Sequence, residues 1–323
     1  GLSWRQGGGF VKNPDRPYLE TEDLDELPFP ARHLIKNELY TAPDTGEPIT
    51  MINVGRGCPH QCIYCAVTVA SGRKLKVRSP GNVVDEIEEC VRRHGIKNFF
   101  FRADTFTWNE AWTVEVCRGI LERGLKIRWG TNSRVDTISE TRLEWMKRAG
   151  CWVVGYGFES GNEESLKHMK KCATLDQART AVRLTHAAGI RVYGLFLIGL
   201  PWEDRLMIED TIRFMKELDP DFVDVNIAYP LPGTEFYQMA EARGLFDRGD
   251  LGEGDYATPI ARTEHLGPED LKALRRKAVL GFYLRPRVIL RTIAQIRSLK
   301  ILMIYLTAAA RVFRHHLFRG KRP

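Results

Sequence analysis

The stretch ITMINVGRGCPHQCIYCAV, residues 49–67, passes from a short apolar run through a glycine-containing turn into closely spaced cysteines. Ile49–Val54 has the length and composition of a buried strand, and Gly55 and Gly57 permit a tight bend directly after it. The cysteines follow at spacings of four and three residues: Cys58, Cys62 and Cys65. Because chemistry in an α/β barrel lies at the C-terminal ends of its strands, this stretch predicts a first strand and, beside it, the functional end of the fold.

The three cysteines are candidate metal ligands, since a compact loop can turn their thiols toward one small inorganic group. A structural zinc site takes four protein ligands, and this loop supplies three thiols. Zinc completed by His60, or a catalytic zinc with two cysteines and one histidine, remains an alternative. A 4Fe-4S cluster usually takes four cysteines, so three leave one iron open to a small molecule. The loop therefore favours a 4Fe-4S cluster with one open iron, ahead of zinc and of unrelated thiols.

After this stretch, apolar runs alternate with helical patterns. Val83, Ile87 and Val91 recur at four-residue spacing among acidic residues, as on a helix with one apolar face. The further predicted strands are Asn98–Phe101, Ile127–Thr131, Trp152–Gly157, Val192–Gly199 and Phe222–Tyr229. The helices predicted between them are Val83–His94, Trp108–Arg123, Ser139–Ala149, Leu175–Ala188 and Glu203–Leu218. Strand–helix units in series require a parallel sheet with right-handed crossovers, which a doubly wound sheet or an incomplete barrel satisfies.

The two ends of the chain lack this alternation. Residues 1–48 are rich in turn formers and charge, so we predict a linker or wrapping arm there, with a short helix around Ala31–Lys36. Residues 49–235 are the predicted partial barrel. Residues 236–323 are predicted to form a helical, basic C-terminal extension.

Composition is that of an ordinary globular protein. Of the 323 residues, 43% are hydrophobic and 28% charged. Seven cysteines are too few for a disulfide scaffold, which favours a reducing compartment and a cytoplasmic protein. The cysteines outside the loop are predicted to be free thiols buried as small hydrophobic residues: Cys90, Cys117, Cys151 and Cys172.

Charge is distributed unevenly along the chain. From Lys272 to Pro323 there are 14 Lys and Arg residues and no Asp or Glu, which leaves 34 basic and 41 acidic residues elsewhere. This tail predicts an acidic partner. Peripheral contact with the inner face of a membrane is one interpretation, because apolar residues of Ile301–Leu306 can enter its surface. Packing on the barrel is the favoured alternative, and nucleic acid is not favoured, because no recognisable binding module accompanies the charge.

The pattern Cys-x-x-x-Cys-x-aromatic-Cys, with Tyr64 before the last cysteine, resembles the signature of the radical S-adenosylmethionine (SAM) superfamily. This resemblance implies a partial (β/α)6 barrel of the TIM type. It implies that the open iron chelates the amino and carboxylate groups of SAM, and that an electron from a flavodoxin- or ferredoxin-type reductant yields a 5′-deoxyadenosyl radical. A non-catalytic iron–sulfur or zinc-binding protein is the alternative function.

Further candidate SAM contacts lie near the ends of later strands. In the family-like segment Gly157–Gly161, the resemblance implies a role for Glu159 toward the SAM ribose, and a helix N-terminus is the alternative reading. Asn132 and Arg134 offer an amide and a guanidinium for ribose or carboxylate, with an Arg134–Asp136 salt bridge as the alternative.

Two more candidates rest on the resemblance. Family members often carry Gly-Gly-Glu at the end of the second strand to hold the SAM amino group, where this chain has Ala103, Asp104 and Thr105. Asp104 is the predicted substitute. The Gly-Leu-Pro turn after the fifth strand is similar to one that lies along adenine in the family, which makes Ile198 a candidate contact, although a plain core residue is as well supported.

The segments ETEDLDELPFPARHLI and FYLRPRVILR, in residues 20–35 and 282–291, resemble a cobalamin-associated subgroup. That subgroup contains methylases of unactivated carbon and the anaerobic magnesium-protoporphyrin ester cyclase, which implies a small-molecule, lipid-like or tetrapyrrole substrate. The cobalt-ligating pattern Asp-x-His-x-x-Gly does not occur in these 323 residues, so we expect a chain without the N-terminal cobalamin-binding domain, and cobalamin stays an open alternative. The sequence names neither the substrate nor the oligomeric state.

Overall fold

The computed structural model describes residues 2–14, 17–294, 296, 301–307 and 310. The strands are β1 (Ser3–Gln6), β2 (Gly9–Lys12), β3 (Ile49–Asn53), β4 (Gly55–Arg56), β5 (Lys76–Val77), β6 (Asn98–Arg102), β7 (Arg128–Ser133), β8 (Cys151–Glu159), β9 (Arg191–Ile198) and β10 (Phe222–Ile227). The helices are α1 (Thr21–Glu26), α2 (Val67–Ser71), α3 (Pro80–His94), α4 (Glu110–Glu122), α5 (Glu140–Arg148), α6 (Glu163–His168), α7 (Leu175–Ala187), α8 (Arg205–Leu218), α9 (Glu235–Ala242), α10 (Pro268–Tyr283) and α11 (Pro286–Ala294).

Six parallel strands form the main sheet in the order β10-β9-β8-β7-β6-β3. Each crossover helix contacts the next one along the chain, from α3 through α4, α5 and α7 to α8. A doubly wound sheet would instead place helices on both faces. The predicted partial barrel is therefore confirmed, and its six strands begin and end within two residues of the predicted bounds.

The two faces of the curved sheet differ in character. Helix-facing side chains such as Ile52, Phe101 and Trp129 are fully buried in the main hydrophobic core. Residues one position away along a strand point to the opposite face, which we call the concave face. There Asn53 and Arg102 are exposed, and they are register partners on β3 and β6. The concave face thus leaves room for a ligand at the C-terminal ends of the strands.

Helix ends follow local chemistry. The Ser79 side chain accepts a hydrogen bond from the Asn82 N–H at the start of α3, and the Asp204 side chain accepts one from the Met207 N–H at the start of α8. The predicted left-handed cap after α3 is present at Gly95, with φ of 66°.

The two outer strands of the sheet are covered by side chains. At β3, Arg32 from the arm donates to Met51 O over 3.0 Å, and its guanidinium pairs with the buried Glu86 over 2.6 Å. At β10, the Tyr283 hydroxyl accepts from Val223 N–H and donates to Val223 O over 3.0 and 2.9 Å. These contacts satisfy backbone groups that an open barrel would otherwise expose for pairing with another chain.

The arm is more structured than predicted. β1 and β2 pair as an antiparallel hairpin, and α1 follows in a region that we expected to be a linker. The helix predicted around Ala31–Lys36 is wrong: two 3₁₀ turns, Arg32–Leu34 and Asn37–Leu39, stand there instead. Pro28 and Pro30 restrict the preceding backbone, and the Arg32 side chain ties this segment to β3 in place of a regular helix.

The helices α10 and α11 of the C-terminal extension pack on the barrel. α10 lies against β10 and α8, and α11 follows it. Residues 301–307 are helical, whereas most of the basic tail from 295 onward lies outside the described residues. Within the described parts of the chain, no helix has the length and apolarity needed to cross a bilayer.

The four cysteines outside the loop are free thiols, as predicted. Cys90, Cys117 and Cys151 are buried. The prediction was wrong for Cys172, which is exposed. Its backbone has a positive φ of 52°, which places it in a turn after α6 and not in a core element.

Candidate active site

The cysteine loop is closed at its base by a short ladder. Gly55 pairs with Val77 and Arg56 with Lys76 in antiparallel register, so residues 57–75 leave and return at one point. Gly57 has φ of +89°, and a Cβ there would lie 2.2 Å from Lys74 O. Only glycine therefore fits this turn, which sets the direction in which the chain enters the cysteines.

Ile63 anchors the middle of the loop. Its N–H donates to Met169 O over 3.1 Å, and its carbonyl accepts from Phe236 N–H over 2.9 Å. Its side chain is 2% exposed and lies in a second hydrophobic cluster with Leu166 and Leu197. The loop is thus held between α6, α9 and the end of β9. Ile63 was not among the predicted site residues, although an apolar residue between two candidate ligands is a signal that the sequence contains.

The three thiols are partly buried and lie close enough to influence one another. Burial raises the pKa of the Cys58 thiol, and charge on Cys62 raises it further, whereas the Arg134 guanidinium lowers it. Burial likewise raises the pKa of Cys65, with contributions from the other two cysteines. Metal ligands must be deprotonated thiols, so metal binding at these cysteines would release protons.

A single metal ion requires all its ligands to converge on one point, whereas a cluster binds its thiols at separate irons. Among the described residues, no three His, Cys, Asp or Glu side chains are arranged to hold one metal ion. In a 4Fe-4S cluster each cysteine binds a separate iron, so its thiols need not share one coordination sphere.

Asp104 follows β6 and ties it to the cysteine loop. The Gly57 N–H donates a hydrogen bond to its carboxylate, which lowers the pKa of Asp104, but burial is the larger influence and raises that pKa overall. The Arg102 charge also acts to lower it. The carboxylate therefore lies beside the turn that precedes Cys58, at the position where the sequence predicted a contact for the SAM amino group.

Glu159 ends β8 in an unusual conformation. Its φ is +64°, a region that non-glycine residues rarely occupy and that often marks functional sites. Its carboxylate pairs with the Lys171 ammonium over 2.9 Å, and both side chains are mostly buried. A Cβ at Gly157 would lie 2.4 Å from Glu159 Oε1, so the carboxylate folds back across that glycine.

Tyr64 connects the cysteine loop to this ion pair. Burial raises the pKa of the Tyr64 hydroxyl strongly, and the nearby Glu159 carboxylate and Cys62 thiol raise it further. The aromatic residue of the cysteine pattern thus reaches from the loop to the end of β8. The sequence analysis did not identify Lys171, whose buried ammonium balances the carboxylate.

Asn132 lies on the concave face near the end of β7. Its Oδ1 would be 2.3 Å from a Cβ placed at Gly155, its register partner on β8. The glycine on β8 therefore makes space for the amide, which remains partly exposed.

Arg134 is 5% exposed and already has partners. Its Nε and Nη2 donate to the two Asp136 carboxylate oxygens over 2.9 and 2.8 Å, and Nη2 also donates to Lys171 O over 2.9 Å. The salt bridge that we named as the alternative is thus present. The guanidinium still influences the cysteine loop through its charge.

Ile198 ends β9 with its side chain fully buried in the main core. Its carbonyl accepts a hydrogen bond from Ala228 N–H over 2.8 Å, and the whole residue is enclosed. The turn that follows is held by Glu203, whose Oε2 accepts from Gly199 N–H and Leu200 N–H over 2.7 and 3.0 Å. The Ser165 hydroxyl donates to Glu203 Oε1 over 2.8 Å. Burial raises the pKa of Glu203 to about 7.

These residues form one connected group at the C-terminal ends of the strands. Gly57 contacts Asp104 on one side of the cysteine loop. On the other side Tyr64 contacts Glu159, which pairs with Lys171, and the carbonyl of Lys171 accepts from Arg134. Asn132 lies on the adjoining concave face, whereas Ile198 is enclosed in the core. The arrangement can hold a metal cluster beside a ligand that carries ammonium, carboxylate and hydroxyl groups.

Comparison with known proteins gives two kinds of match. The family model described as the radical SAM superfamily matches residues 52–215, just over half of the chain. An uncharacterized methyltransferase of Pyrococcus horikoshii is 33% identical over 91% of this chain. The anaerobic magnesium-protoporphyrin IX monomethyl ester cyclase of Cereibacter sphaeroides is 29% identical over 82% of it.

Solved structures show the same fold. The radical SAM methyltransferase TsrM of Kitasatospora setae, whose structure contains cobalamin and a 4Fe-4S cluster, has a TM-score of 0.57, 20% identity and 68% coverage of this chain. The present chain spans 63% of the Pyrococcus relative, 43% of the Cereibacter relative and 45% of TsrM. All three proteins are thus considerably longer than the part that is matched.

Proposed function

The chain belongs to the radical SAM superfamily, and from this we propose that Cys58, Cys62 and Cys65 bind the 4Fe-4S cluster of this enzyme and that strand-end residues around them bind SAM. Enzymes of the family use a 4Fe-4S cluster and SAM. The observation that carries the proposal is that the three cysteines and the buried Glu159–Lys171 ion pair lie at the same end of the sheet, with the loop anchored through Ile63 to the residue after α6. When bound, the two cofactors supply a 5′-deoxyadenosyl radical by one-electron cleavage of SAM.

The residues of this chain fit those cofactors. Three thiols leave one iron of a 4Fe-4S cluster for another ligand. Asp104 lies beside the turn that leads into Cys58, and in the proposed site its carboxylate accepts from the SAM ammonium. Glu159 accepts from ribose hydroxyls, while the Lys171 ammonium fixes its orientation.

Other predicted contacts take narrower roles in the proposal. Asn132 offers its amide from the concave face. Arg134 acts mainly as a positioning residue, because Asp136 and the Lys171 carbonyl occupy its donors. Ile198 enters the proposal as an enclosed residue of the strand end that we expect to lie along the adenine. The proposed cofactor-binding set is therefore Asp104, Asn132 and Glu159, with Arg134 and the enclosed Ile198 behind them.

We propose methyl transfer or radical rearrangement of an organic substrate as the reaction. Support comes from the relatives, which include a methyltransferase, a tetrapyrrole ester cyclase and a hopanoid C-3 methylase. A lipid-like or tetrapyrrole substrate agrees with these names, and a flavodoxin- or ferredoxin-type protein is the proposed electron donor. The alternative function was a non-catalytic iron–sulfur or zinc-binding protein. The group of polar residues at the strand ends beside the cysteine loop gives that alternative no support.

Anaerobic reconstitution with iron and sulfide tests this proposal. The protein should turn brown, bind SAM, and release 5′-deoxyadenosine or a methylated product with dithionite, as followed by mass spectrometry. Cys62→Ala should abolish both colour and SAM cleavage, whereas Cys172→Ala, which removes an exposed thiol outside the loop, should leave both unchanged. An arm with methylcobalamin separates methyl transfer through cobalt from direct radical chemistry. Fully coloured protein that never cleaves SAM would contradict the proposal.

We further propose peripheral contact of the tail with an anionic membrane. α11 presents Leu290 and Ile293 to solvent at 66% and 57% exposure, and the sequence beyond it is basic. Sedimentation with anionic and neutral liposomes tests this, using the chain with and without residues 295–323. Deletion of residues 295–323 leaves α10 in place, and α10 packs against the outer strand β10. Equal sedimentation with both liposome types would overturn the membrane proposal.

A further inference from the structure

A cavity of about 310 Å³ lies between the arm and the outer edge of β3. It is separate from the cysteines themselves. Its apolar wall comes mainly from the arm: Leu24, Leu27, Pro28, Phe29, Pro30 and Met51. A cavity of this size holds a small molecule or one part of a larger one.

Another part of the lining is cationic, and we call it the cationic wall. It contains Arg56, Arg78 and Arg102, with Glu86 as its acidic member. Glu86 is already shared by Arg78 and by Arg32 of the arm. Among the described residues, the side chains of Arg56 and Arg102 make no hydrogen bond or ion pair, and both residues are exposed. Two guanidinium groups that form no hydrogen bond or ion pair among the described residues therefore border one cavity.

This cationic wall adjoins the candidate active site. Arg102 and its register partner Asn53 stand on the concave face. Arg102 is also close enough to Asp104 for its charge to lower the pKa of that carboxylate. Arg56 lies two residues before Cys58. A ligand held at these guanidinium groups would therefore lie beside the turn that leads into the cysteine loop.

We propose that this cavity binds the substrate, and that the substrate is an oxyanion, a carboxylate or a phosphate ester, carried on an apolar body. The planar donors of Arg56 and Arg102 match the geometry of an oxyanion. The leucine, proline and phenylalanine side chains of the arm remove the apolar body from water. The identification of the ligand as the substrate rests on the proposed radical SAM function. The binding of an oxyanion with an apolar body to this cavity does not depend on that function.

Calorimetric titration of the cluster-loaded protein without SAM tests the site. The probes are decanoate, decyl phosphate and the uncharged decanol. Hydrogen bonds to charged groups contribute enough for about a tenfold change in affinity or more, so at least one anionic probe should bind about tenfold more tightly than decanol. The tighter of the two anionic probes identifies the headgroup.

Variants locate the binding. Arg102→Gln and Arg56→Gln should each weaken the preferred anionic probe about tenfold and change decanol little. Arg276→Gln, which removes an exposed guanidinium on α10, should change neither. Circular dichroism and iron content verify that the variants fold and retain the cluster.

The outcomes separate this inference from the proposed function. Equal binding of decanol and both anions, or unchanged anion binding in both cavity variants, overturns the cavity proposal even if SAM is cleaved normally. Selective anion binding that depends on Arg56 and Arg102 supports it even in protein that cleaves no SAM.

Discussion

At the scale of single residues, Glu203 makes folding depend on pH. Burial raises its pKa from 4.5 to about 7 in the folded protein, so the folded state binds its proton more tightly than the unfolded state does. The stability that this group contributes is therefore complete below about pH 4.5 and is lost as the pH rises through about 7. Because each pKa unit corresponds to about 1.4 kcal/mol, the loss amounts to a few kcal/mol at most.

Glu203→Gln should remove this dependence, since the amide stays neutral and nearly isosteric. Urea unfolding at about pH 5 and about pH 8 measures it. The urea midpoint of Glu203→Gln minus that of the native protein should be larger at about pH 8 than at about pH 5. Glu144→Gln, at an exposed position, controls for the loss of one carboxylate. A constant difference between Glu203→Gln and the native protein would show that Glu203 is ionised in both conditions.

Sequence reasoning at this scale reaches residues whose signal is local. The spacing of three cysteines in one loop marks them as candidate ligands, and the position of Glu159 at a strand end makes it a candidate contact; both assignments stay predictions. Lys171 could not be found in this way, because its role comes from burial beside Glu159 after the chain has turned through α6. For Arg134 the sequence left two readings open, a contact with a ligand and a salt bridge with Asp136. The folded structure shows the salt bridge, in which Arg134 donates to both Asp136 carboxylate oxygens.

At the scale of elements, the cysteine loop depends on Ile63 for its position. Ile63→Ala should destabilise the protein by about 2–5 kcal/mol, since it opens a cavity in the second hydrophobic cluster. It should also lower the iron retained after reconstitution, because the loop loses its side-chain anchor. Urea unfolding and iron analysis measure the two effects. Val69→Ala is the matched control, because Val69 is an exposed residue within the same segment, residues 57–75. An equal loss of iron in Val69→Ala would refute the anchoring role of Ile63.

Most elements could be predicted because their periodicity is strong. Buried parallel strands read as short apolar runs, and the amphipathic helices between them end at glycines such as Gly95. The arm could not be predicted in the same way. The β1–β2 hairpin is exposed throughout, so it has no apolar alternation, and the turns around Arg32 are fixed by contacts with β3 that are distant in sequence.

At the scale of the whole molecule, Arg32 attaches the arm to the barrel. It donates to Thr50 Oγ1 and Met51 O over 3.2 and 3.0 Å and pairs with Glu86. Arg32→Met should cost about 1–3 kcal/mol, because Glu86 keeps Arg78 as a partner. The arm should then become sensitive to limited proteolysis within residues 17–48 while the barrel stays folded.

The control for the arm is Lys36→Met, which removes an exposed cation from the same segment. Its proteolysis pattern should match that of the native protein. Cleavage of the arm at the same rate in the native protein and Arg32→Met would mean that other contacts hold it. Since the arm also forms one wall of the cavity beside β3, its release should weaken the binding of the anionic probe as well.

The short ladder that closes the base of the cysteine loop has a consequence for the protein after its iron is lost. Gly55 and Arg56 pair with Val77 and Lys76, and Ile63 holds the far side, so the cysteine loop is attached to the barrel at two separate points. We expect the loop to stay attached when iron is lost to oxygen. Such a polypeptide should be refilled with iron and sulfide more readily than it is replaced by new synthesis.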